Sequence, residues 1–326
     1  MKKNIAVITG GFSSEQEVSL RSAQFVFNSI DKSKFTKTLI EISSADWYAF
    51  LENGEKILVD KTDFSITYKG IKTKFDYAYV IIHGTPGENG LLQGYFDMIQ
   101  IPYSCCGVLS AALTFNKFAC NQYLKGFGVS VAESILLRKG QTIAPEIVAE
   151  QIGFPCFIKS NVGGSSYGCS KVNAIEQVQP AIELAFAEGD EVIIEAFLAG
   201  NEFTCGIYKT TQKTVVLPIT EIIPNNEFFD YDAKYKGEVE EVTPARISDE
   251  LRDRMQAITS HVYDVLNCKG IIRVDYIVSP EGNIHLLEVN TIPGMTATSF
   301  IPQQLAAANL KVTDTLSEII EDAMCS

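Results

Sequence analysis

Positive charge is scarce in this chain: 27 Lys and Arg stand against 40 Asp and Glu, a formal net charge of −13. A net-acidic surface repels phosphate backbones and anionic lipid, which argues against nucleic acid and membranes as partners. A small anion in a local basic pocket is still compatible with it. Histidine is scarcer, with 3 residues (His83, His261 and His285), and none of the 8 cysteines forms a C-x-x-C pair. A zinc site is therefore not expected. Most of the cysteines lie in apolar settings such as FPCFI, which reads as small core residues in a reducing cytoplasm. No stretch reaches the ~20 apolar residues of a membrane helix. The longest, such as Ala78 to Ile82, are strand-sized. The start, MKKNIAVITGG, breaks at a Gly pair before reaching the ~7–15 apolar residues of a secretion signal, and reads as a buried first strand.

What is present is ordinary globular material. The 326 residues are 46% apolar and 21% charged, which suits about two domains, or three small ones, at ~150 residues each. IAVITG (Ile5 to Gly10) predicts a strand. Ser14, with Glu17 three residues on, predicts a capping box for a helix whose Ala23, Val26, Phe27 and Ile30 recur at helical spacing. TKTLIEI predicts a second strand and YAYVIIHG (Tyr77 to Gly84) a third. Such alternation indicates an open parallel α/β sheet, whose ligands sit at the carboxyl ends of its strands. Gly11 to Glu15 and His83 to Asn89 lie at such ends. One helical stretch is expected from Val108 to Leu124, with Lys117 inside it. Strands are expected at FPCFIKS, CSKV and EVIIEAFL, and helices over 175–188, 249–266 and 310–323. Pro224 to Pro244 is polar, charged and without period, and fits a mobile lid as well as a plain surface loop.

The most specific chemistry lies in IIRVDYIVS and NIHLLEVN, joined by the turn residues Pro280, Glu281 and Gly282. If Asp275 lies opposite Glu288, Arg273 lies opposite Asn290. Alternation then puts these four on one face and Val274, Tyr276, Leu287 and Val289 on the other, the core face. Carboxylates facing across strands repel. A cation between them removes the repulsion, and the hard oxygens of Asp, Glu and Asn suit Mg²⁺. A buried Arg–carboxylate network is the plain alternative, and a costly one. NTIPGMTATS follows, where Gly294 offers a backbone N–H and Ser299 a hydroxyl. Upstream, Lys159 ends a strand and GGSSYG (Gly163 to Gly168) follows. Consecutive N–H groups there can cradle an anion. In a Walker loop the lysine follows the glycines; here it precedes them. Alone this segment is a hairpin turn; beside the acidic hairpin it reads as a phosphate cover. Glu15, His83, Glu195, Glu202, Tyr231, Lys234 and Tyr235 each have a structural explanation of their own, and none carries a function unaided.

In order along the chain, GGFSSEQEVSLRSA, HGTPGENGLLQG with IPYSCCGVLSAAL, KSNVGGSSYGCSKV, EAFLAGNEFT, FFDYDAKY and RVDYIVSPEGNIHLLEVNTIPGMTATS are six matching stretches. Through them the chain resembles, over nearly its whole length, the D-alanine–D-alanine ligase family of the ATP-grasp superfamily. The resemblance implies an α/β (α+β ATP-grasp) fold: an N-terminal substrate-binding domain on an open parallel sheet (1–106), then two ATP-grasp subdomains built on antiparallel sheets. The central subdomain (107–194) would carry the Gly/Ser-rich phosphate loop, and the C-terminal one (195–326) the Mg²⁺ site and the mobile loop 224–244. The implied activity is ATP-dependent joining of two D-alanines through an acyl phosphate, for peptidoglycan precursors, in the cytoplasm. The implied partners are small molecules and a second copy of the chain.

The resemblance also implies site roles. Lys117 and Lys159 contact the ATP phosphates, Ser166 belongs to the ATP site, and Lys234 approaches the γ-phosphate. Glu195, Ala196, Phe197 and Leu198 form the adenine hinge, and Glu202 holds the ribose. Asp275, Glu288 and Asn290 bind two Mg²⁺ ions, with Mn²⁺ as a substitute. Glu15 pairs with the ammonium of the first D-alanine near His83, and Ser165 bonds Glu15 and Tyr235 to lock the loop. Arg273 and the Gly294 N–H stabilise the oxyanion, and Ser299 helps bind the second carboxylate. The chain departs from the family at Asn116, usually Asp, and at Ser160, usually Pro. Neither removes a catalytic group, and both bear on nucleotide affinity. Two other readings stand beside this one. The first is a different ATP-grasp ligase, such as a D-alanine–D-lactate enzyme, against which the Lys234–Tyr235 pair speaks. The second is a non-catalytic ATP/Mg²⁺-binding regulator, which would be expected to have lost Glu15, Arg273 or a metal carboxylate.

Overall fold

The computed structural model describes residues 2–13, 15–163, 168–224 and 239–325. The first of its sheets is built on β1 (Lys3–Gly10), buried from Ile5 onward. A run apolar on both faces suits a central strand. β1 pairs in parallel with β2 (Phe35–Ile42) on one side and β7 (Tyr77–Val80) on the other, with α1 (Gln16–Ser29) as the crossover to β2. Beyond β2 the sheet goes on antiparallel through β3 (Trp47–Phe50), β4 (Lys56–Asp60), β5 (Ser65–Tyr68) and β6 (Ile71–Lys74), so it is mixed and larger than the parallel sheet expected. These four strands are too short to show a clear period. Lys69 and Gly70, both at positive φ, close β5 on β6 in a two-residue turn whose twist matches that of the strands.

Two local expectations fail for identifiable reasons. The N-cap of α1 is Glu15, with no side-chain cap bond, and Ser14 lies outside the described residues. After α2 (Leu91–Ile99), the expected helix over Val108 to Leu124 is two helices, α3 (Val108–Phe115) and α4 (Lys117–Lys125). Between them Asn116 turns extended (φ −97°, ψ 99°), and its side chain accepts the Ala119 N–H at 2.9 Å. Asn competes with a helix backbone in this way and so prefers the cap. Lys117 thereby becomes the first residue of a helix.

The second sheet runs β10–β9–β11–β8, from β8 (Ser134–Arg138), β9 (Cys156–Ser160), β10 (Ser170–Val172) and β11 (Glu191–Ala196). Its core joins Ile158, Val172 and Ile194 to Val148 of α5 (Pro145–Gln151) and Ile182 of α6 (Val178–Glu188). The third sheet centres on β12 (Asn201–Lys209), flanked by β16 (Ile271–Val278) with β17 (Ile284–Asn290), and by β14 (Thr220–Pro224) with β15 (Val239–Val242). The expected loop 224–244 is thus strand at both ends; 225–238, with Tyr231, Lys234 and Tyr235, lie outside the described residues. α7 (Asp249–Val265) packs on β12 and is capped by the Ser248 hydroxyl. α8 (Phe300–Ala307) and α9 (Val312–Cys325) turn back to the first sheet, where Ile301, Leu305, Leu316 and Ile320 join the core of Ile8 and Val26. Among the described residues no helix is long and apolar enough to cross a membrane.

Candidate active site

The β16–β17 hairpin pairs Arg273 with Asn290, Val274 with Val289 and Asp275 with Glu288, the register the alternation predicts. A bulge between Asp275 and Tyr276 then shifts it, and Tyr276 faces Leu286. Leu286 is consequently the buried core residue and Leu287 only half-buried, which corrects the expected core face. On the polar face Arg273 grips Asp275 with two bonds, Nε to Oδ1 at 2.9 Å and Nη2 to Oδ2 at 2.8 Å. The Thr204 hydroxyl, directly opposite on β12, donates to Asp275 Oδ1 at 2.6 Å. Burial would weaken the guanidinium charge of Arg273, but Asp275, with Glu288 and Glu202 behind it, raises its pKa above the ordinary value. Gln304 of α8 braces the far side. It accepts the Gly206 N–H at 2.9 Å and donates to the Thr204 carbonyl at 3.0 Å. Gly206 cannot be larger there, since a Cβ would meet Ile301 at 2.5 Å.

The two lysines come from different elements. Lys117, at the head of α4, donates from Nζ to the Gly163 carbonyl at 2.5 Å, and its N–H goes to the Asn161 carbonyl. Asn161 is fully buried; its Oδ1 accepts the Phe118 N–H at 2.8 Å and its Nδ2 donates to Glu191 at 2.7 Å. Asn116 Nδ2 reaches the same Glu191 oxygen at 3.1 Å. The Asn departure is thus fitted to an acidic neighbour, which an Asp would repel. Ser160, the other departure, donates to the Val162 carbonyl at 2.9 Å. Lys159, on β9, pairs with Glu195 of β11 at 2.5 Å. Burial would lower its pKa, but Glu195 chiefly outweighs that and raises it. After Glu195 the Ala196 N–H bonds the Glu133 carbonyl and the Phe197 N–H the Pro155 carbonyl. Among the described backbone bonds the Leu198 N–H is not so used. Phe197 is partly exposed, beside Phe157 and under the Lys171 ammonium. Glu202 shares the polar face of β12 with Thr204.

A third group gathers where β1 and β7 end. A Cβ on Gly84 would lie 3.4 Å from Glu15 Oε2, so this carboxylate sits over the Gly84 backbone. Glu88, which sequence patterning does not single out, accepts the Gly84 N–H at 2.7 Å. Burial, with the Glu15 charge adding to it, pushes its pKa up to about 8. The signal was an acid inside a Gly-rich turn, GTPGENG. His83 is buried, and burial pushes its pKa down to about 4. The fourth group follows β17. A Cβ on Gly294 would lie 3.0 Å from Ser299 Oγ, which also accepts the Thr296 N–H at 2.9 Å. Ser299 is the N-cap residue of α8, a helix end suited to an anion. Ser165, Ser166, Lys234 and Tyr235 lie outside the described residues.

The hairpin links the Lys159 and Glu88 groups. Glu288 is near enough to act electrostatically on Lys159, Arg273 and Glu88, and Arg273 on His83. Among the described residues no three His, Cys, Asp or Glu cluster as metal ligands. Asp275 and Glu288 instead share the amide of Asn290, whose Nδ2 lies 3.0 and 3.4 Å from them. Rotation of that amide presents Oδ1, completing a hard-oxygen set that fits Mg²⁺.

The arrangement is an acidic, arginine-bearing hairpin with two lysines of neighbouring elements near antiparallel sheets, the architecture of an ATP-grasp ligase. Family models for the "D-ala D-ala ligase N-terminus" and "C-terminus" match residues 4–106 and 123–321. The D-alanine–D-alanine ligase of Bacteroides fragilis is 59% identical over 322 residues, 99% of each chain. That of Phocaeicola vulgatus is 56% identical over 322 residues, again 99% of each. Among solved structures, the VanG D-Ala:D-Ser ligase of Enterococcus faecalis superimposes with a TM-score of 0.89 at 32% identity, covering 99% of this chain and 100% of that one. The Bacillus anthracis D-alanine–D-alanine ligase complexed with ATP does so with a TM-score of 0.80 at 29% identity, covering 100% and 98%. The chain belongs to the D-alanine–D-alanine ligase family.

Proposed function

We infer that this chain is an ATP-dependent ligase that joins two D-alanines and releases ADP and phosphate, its product serving peptidoglycan precursors. The observation that carries the reading is the Arg273–Asp275–Glu288–Asn290 face, with Lys159 and the Glu15–Glu88 pocket within electrostatic reach of it. Glu15 holds the first ammonium beside Gly84 and His83. The γ-phosphoryl group then passes to the first carboxylate, leaving ADP and an acyl phosphate. The second amine attacks that carbonyl, charge collects on its oxygen, and phosphate leaves. Lys117 and Lys159 neutralise the nucleotide phosphates, and Arg273 with the Gly294 N–H meets the oxyanion, so catalysis rests on placement and charge. Ser299 and the α8 N-terminus take the second carboxylate. Asp275, Glu288 and Asn290 would hold Mg²⁺, or Mn²⁺ in its stead, which neutralises phosphate charge when bound. Adenine lies against Glu195, Ala196, Phe197 and Leu198, with the Leu198 N–H as donor, and the ribose against Glu202.

Other parts of the reading rest on sequence likeness alone. Ser165 and Tyr235 lock the Gly-rich loop over Glu15, Ser166 and Lys234 serve ATP, and 224–244 closes against water. Three domains (1–106, 107–194, 195–326), a homodimer and a cytoplasmic location complete it; the three separate sheets support the first of these. The test is ADP release by the purified protein with ATP, Mg²⁺ and D-alanine, with L-alanine as control. D-Alanine-dependent release with a product of dipeptide mass is expected. ATP binding without it would overturn the reading in favour of a regulator. D-Serine and D-lactate as second substrates measure acceptor strictness.

A further inference from the structure

Three serines of the segment SSEQEVSLRS converge on one residue, His83. The Ser13 hydroxyl donates to the His83 carbonyl at 3.0 Å, and Ser19 Oγ accepts the His83 N–H at 3.0 Å. Ser22 Oγ lies 3.3 Å from the imidazole Nε2. The main-chain donor, the acceptor and the ring are all engaged by protein. Ser22 has a second partner 273 residues away, the Met295 N–H, which it accepts at 3.3 Å. A serine hydroxyl carries one hydrogen. With Met295 donating to one lone pair, the hydroxyl keeps its hydrogen and a second lone pair for Nε2, so it bonds the ring in either tautomer. The Ile292 backbone carbonyl accepts a further hydrogen bond from the ring. His83 and Ser22 thus hold both ends of the short run Ile292–Pro293–Gly294–Met295.

The side chains of that run say the same. Ile292 and Met295 are 3% and 2% exposed and belong to the core of the first sheet. Gly294 sits between the two anchored residues, with Ser299 Oγ beside it. Ser22 itself is fully buried in α1. It has no route to a ligand except through the groups it holds.

We propose that Ser22 is a positioning residue for the ligation: with His83 as its partner it locks the 292–295 run, and so aims the Gly294 N–H at the reacting carbonyl. The proposal rests on the ligase reading above for what Gly294 does. His83 in this arrangement is the fixed post of the lock and not a proton-transfer group. Misplacing a single donor by a fraction of an ångström lowers turnover without altering nucleotide binding, because the lysines and the hinge lie on other elements.

The test compares Ser22→Ala with Ser110→Ala, which removes another buried hydroxyl, one bonded to the Leu266 carbonyl at 2.6 Å and to neither His83 nor the 292–295 run. First, parent activity with D-alanine is confirmed; its absence would defeat the ligase reading and not the lock. In Ser22→Ala kcat is expected to fall about tenfold or more, while KM for ATP stays within about twofold. Affinity for a tetrahedral phosphinate analogue of the dipeptide should fall by the same factor as kcat. Ser110→Ala should move only the melting temperature. Hydrogen exchange at the Met295 amide, measured without substrate, should quicken in Ser22→Ala alone. Unchanged protection there, or a kcat no lower than that of Ser110→Ala, would overturn the proposal. Should Ser22→Ala fold poorly, the equal-shaped pair Ser22→Thr and Ser22→Val isolates the hydroxyl, and equal kcat in the two would overturn it as well.

Discussion

The acidic hairpin and the serine–histidine junction are both made of buried and half-buried polar groups, yet they are built in opposite ways. In the hairpin, Arg273, Asp275, Glu288 and Asn290 come from adjacent strands of one turn, and their partners follow from alternation. In the junction, Ser22, His83 and Met295 come from three separated parts of the chain, and nothing local foretells their meeting. In the hairpin two carboxylates stand face to face and share their partners, Arg273, Thr204 and the Asn290 amide, while in the junction each group of His83 has a serine of its own. A cation can take the place of the shared amide in the first, while a ligand is only placed by the second.

The comparison breaks most visibly at Asp275. Asp275→Ala is expected to lower kcat at least about 10³-fold, because phosphoryl charge loses its counter-charge. It also leaves the half-buried Arg273 without its chief partner, which lowers stability. Asp275→Asn separates the two effects: urea unfolding should recover while turnover does not. Wild-type rates in Asp275→Asn would remove the carboxylate from the reaction.

Next in size is Glu15, which tests whether a pre-placed pocket binds by charge. Glu15→Gln should raise KM for the first D-alanine about 10- to 100-fold, as loss of one partner in a close charge pair does. KM for ATP should not change. Initial-rate titration of each substrate checks it, and parallel rises in both would point to a folding defect instead.

A smaller effect is carried by pH. Glu88 is pushed up to about 8 from an ordinary 4.5. The folded chain then keeps a proton that the unfolded chain has lost, so the stability it contributes is present below pH 4.5 and lost as pH rises through about 8. His83 acts in the opposite sense: its pKa falls from 6.5 to about 4, so its contribution is present above pH 6.5 and lost as pH falls through about 4. Glu88→Gln should therefore flatten the decline of Tm between about pH 5 and about pH 8 by a few degrees. Identical slopes for parent and variant would show that Glu88 ionises normally.

The smallest effect sits at Asn116. Asn116→Asp keeps a good cap for α4. It exchanges the bond to Glu191 for a like-charge contact, and should cost about 0.5–1.5 kcal/mol at low salt and less at high salt. Melting curves at two ionic strengths decide it. A salt-independent change would mean that the cap, and not the Glu191 contact, governs this position.

Legibility in the sequence divides along the same line. The carboxylate face could be read because the period of a strand is two, and one assumed pair determines the others. The bulge after Asp275 could not, since an extra residue is chosen by packing, here the burial of Leu286 over Leu287. β1, β2 and β7 show as apolar runs, while β3 to β6 have four or five residues each and no run to recognise. The break at Asn116 was masked by apolar residues on both sides of it. Glu88 was passed over because an acid in a Gly-rich turn looks solvated until the 292 segment closes over it. Ser19 and Ser22 of α1 carry no local signal, because their partner His83 is more than sixty residues away.

The bulge in the hairpin has one more consequence, for tolerance to change in length. It divides the ladder into an inner part, Arg273 to Asp275, and an outer part, Tyr276 to Val278. The outer part already runs one residue out of step with the inner. A residue added or removed near Gly282 can be taken up at this joint, much as an expansion gap absorbs the movement of a rail. The carboxylates then stay opposite one another while the turn beyond them is free to change length.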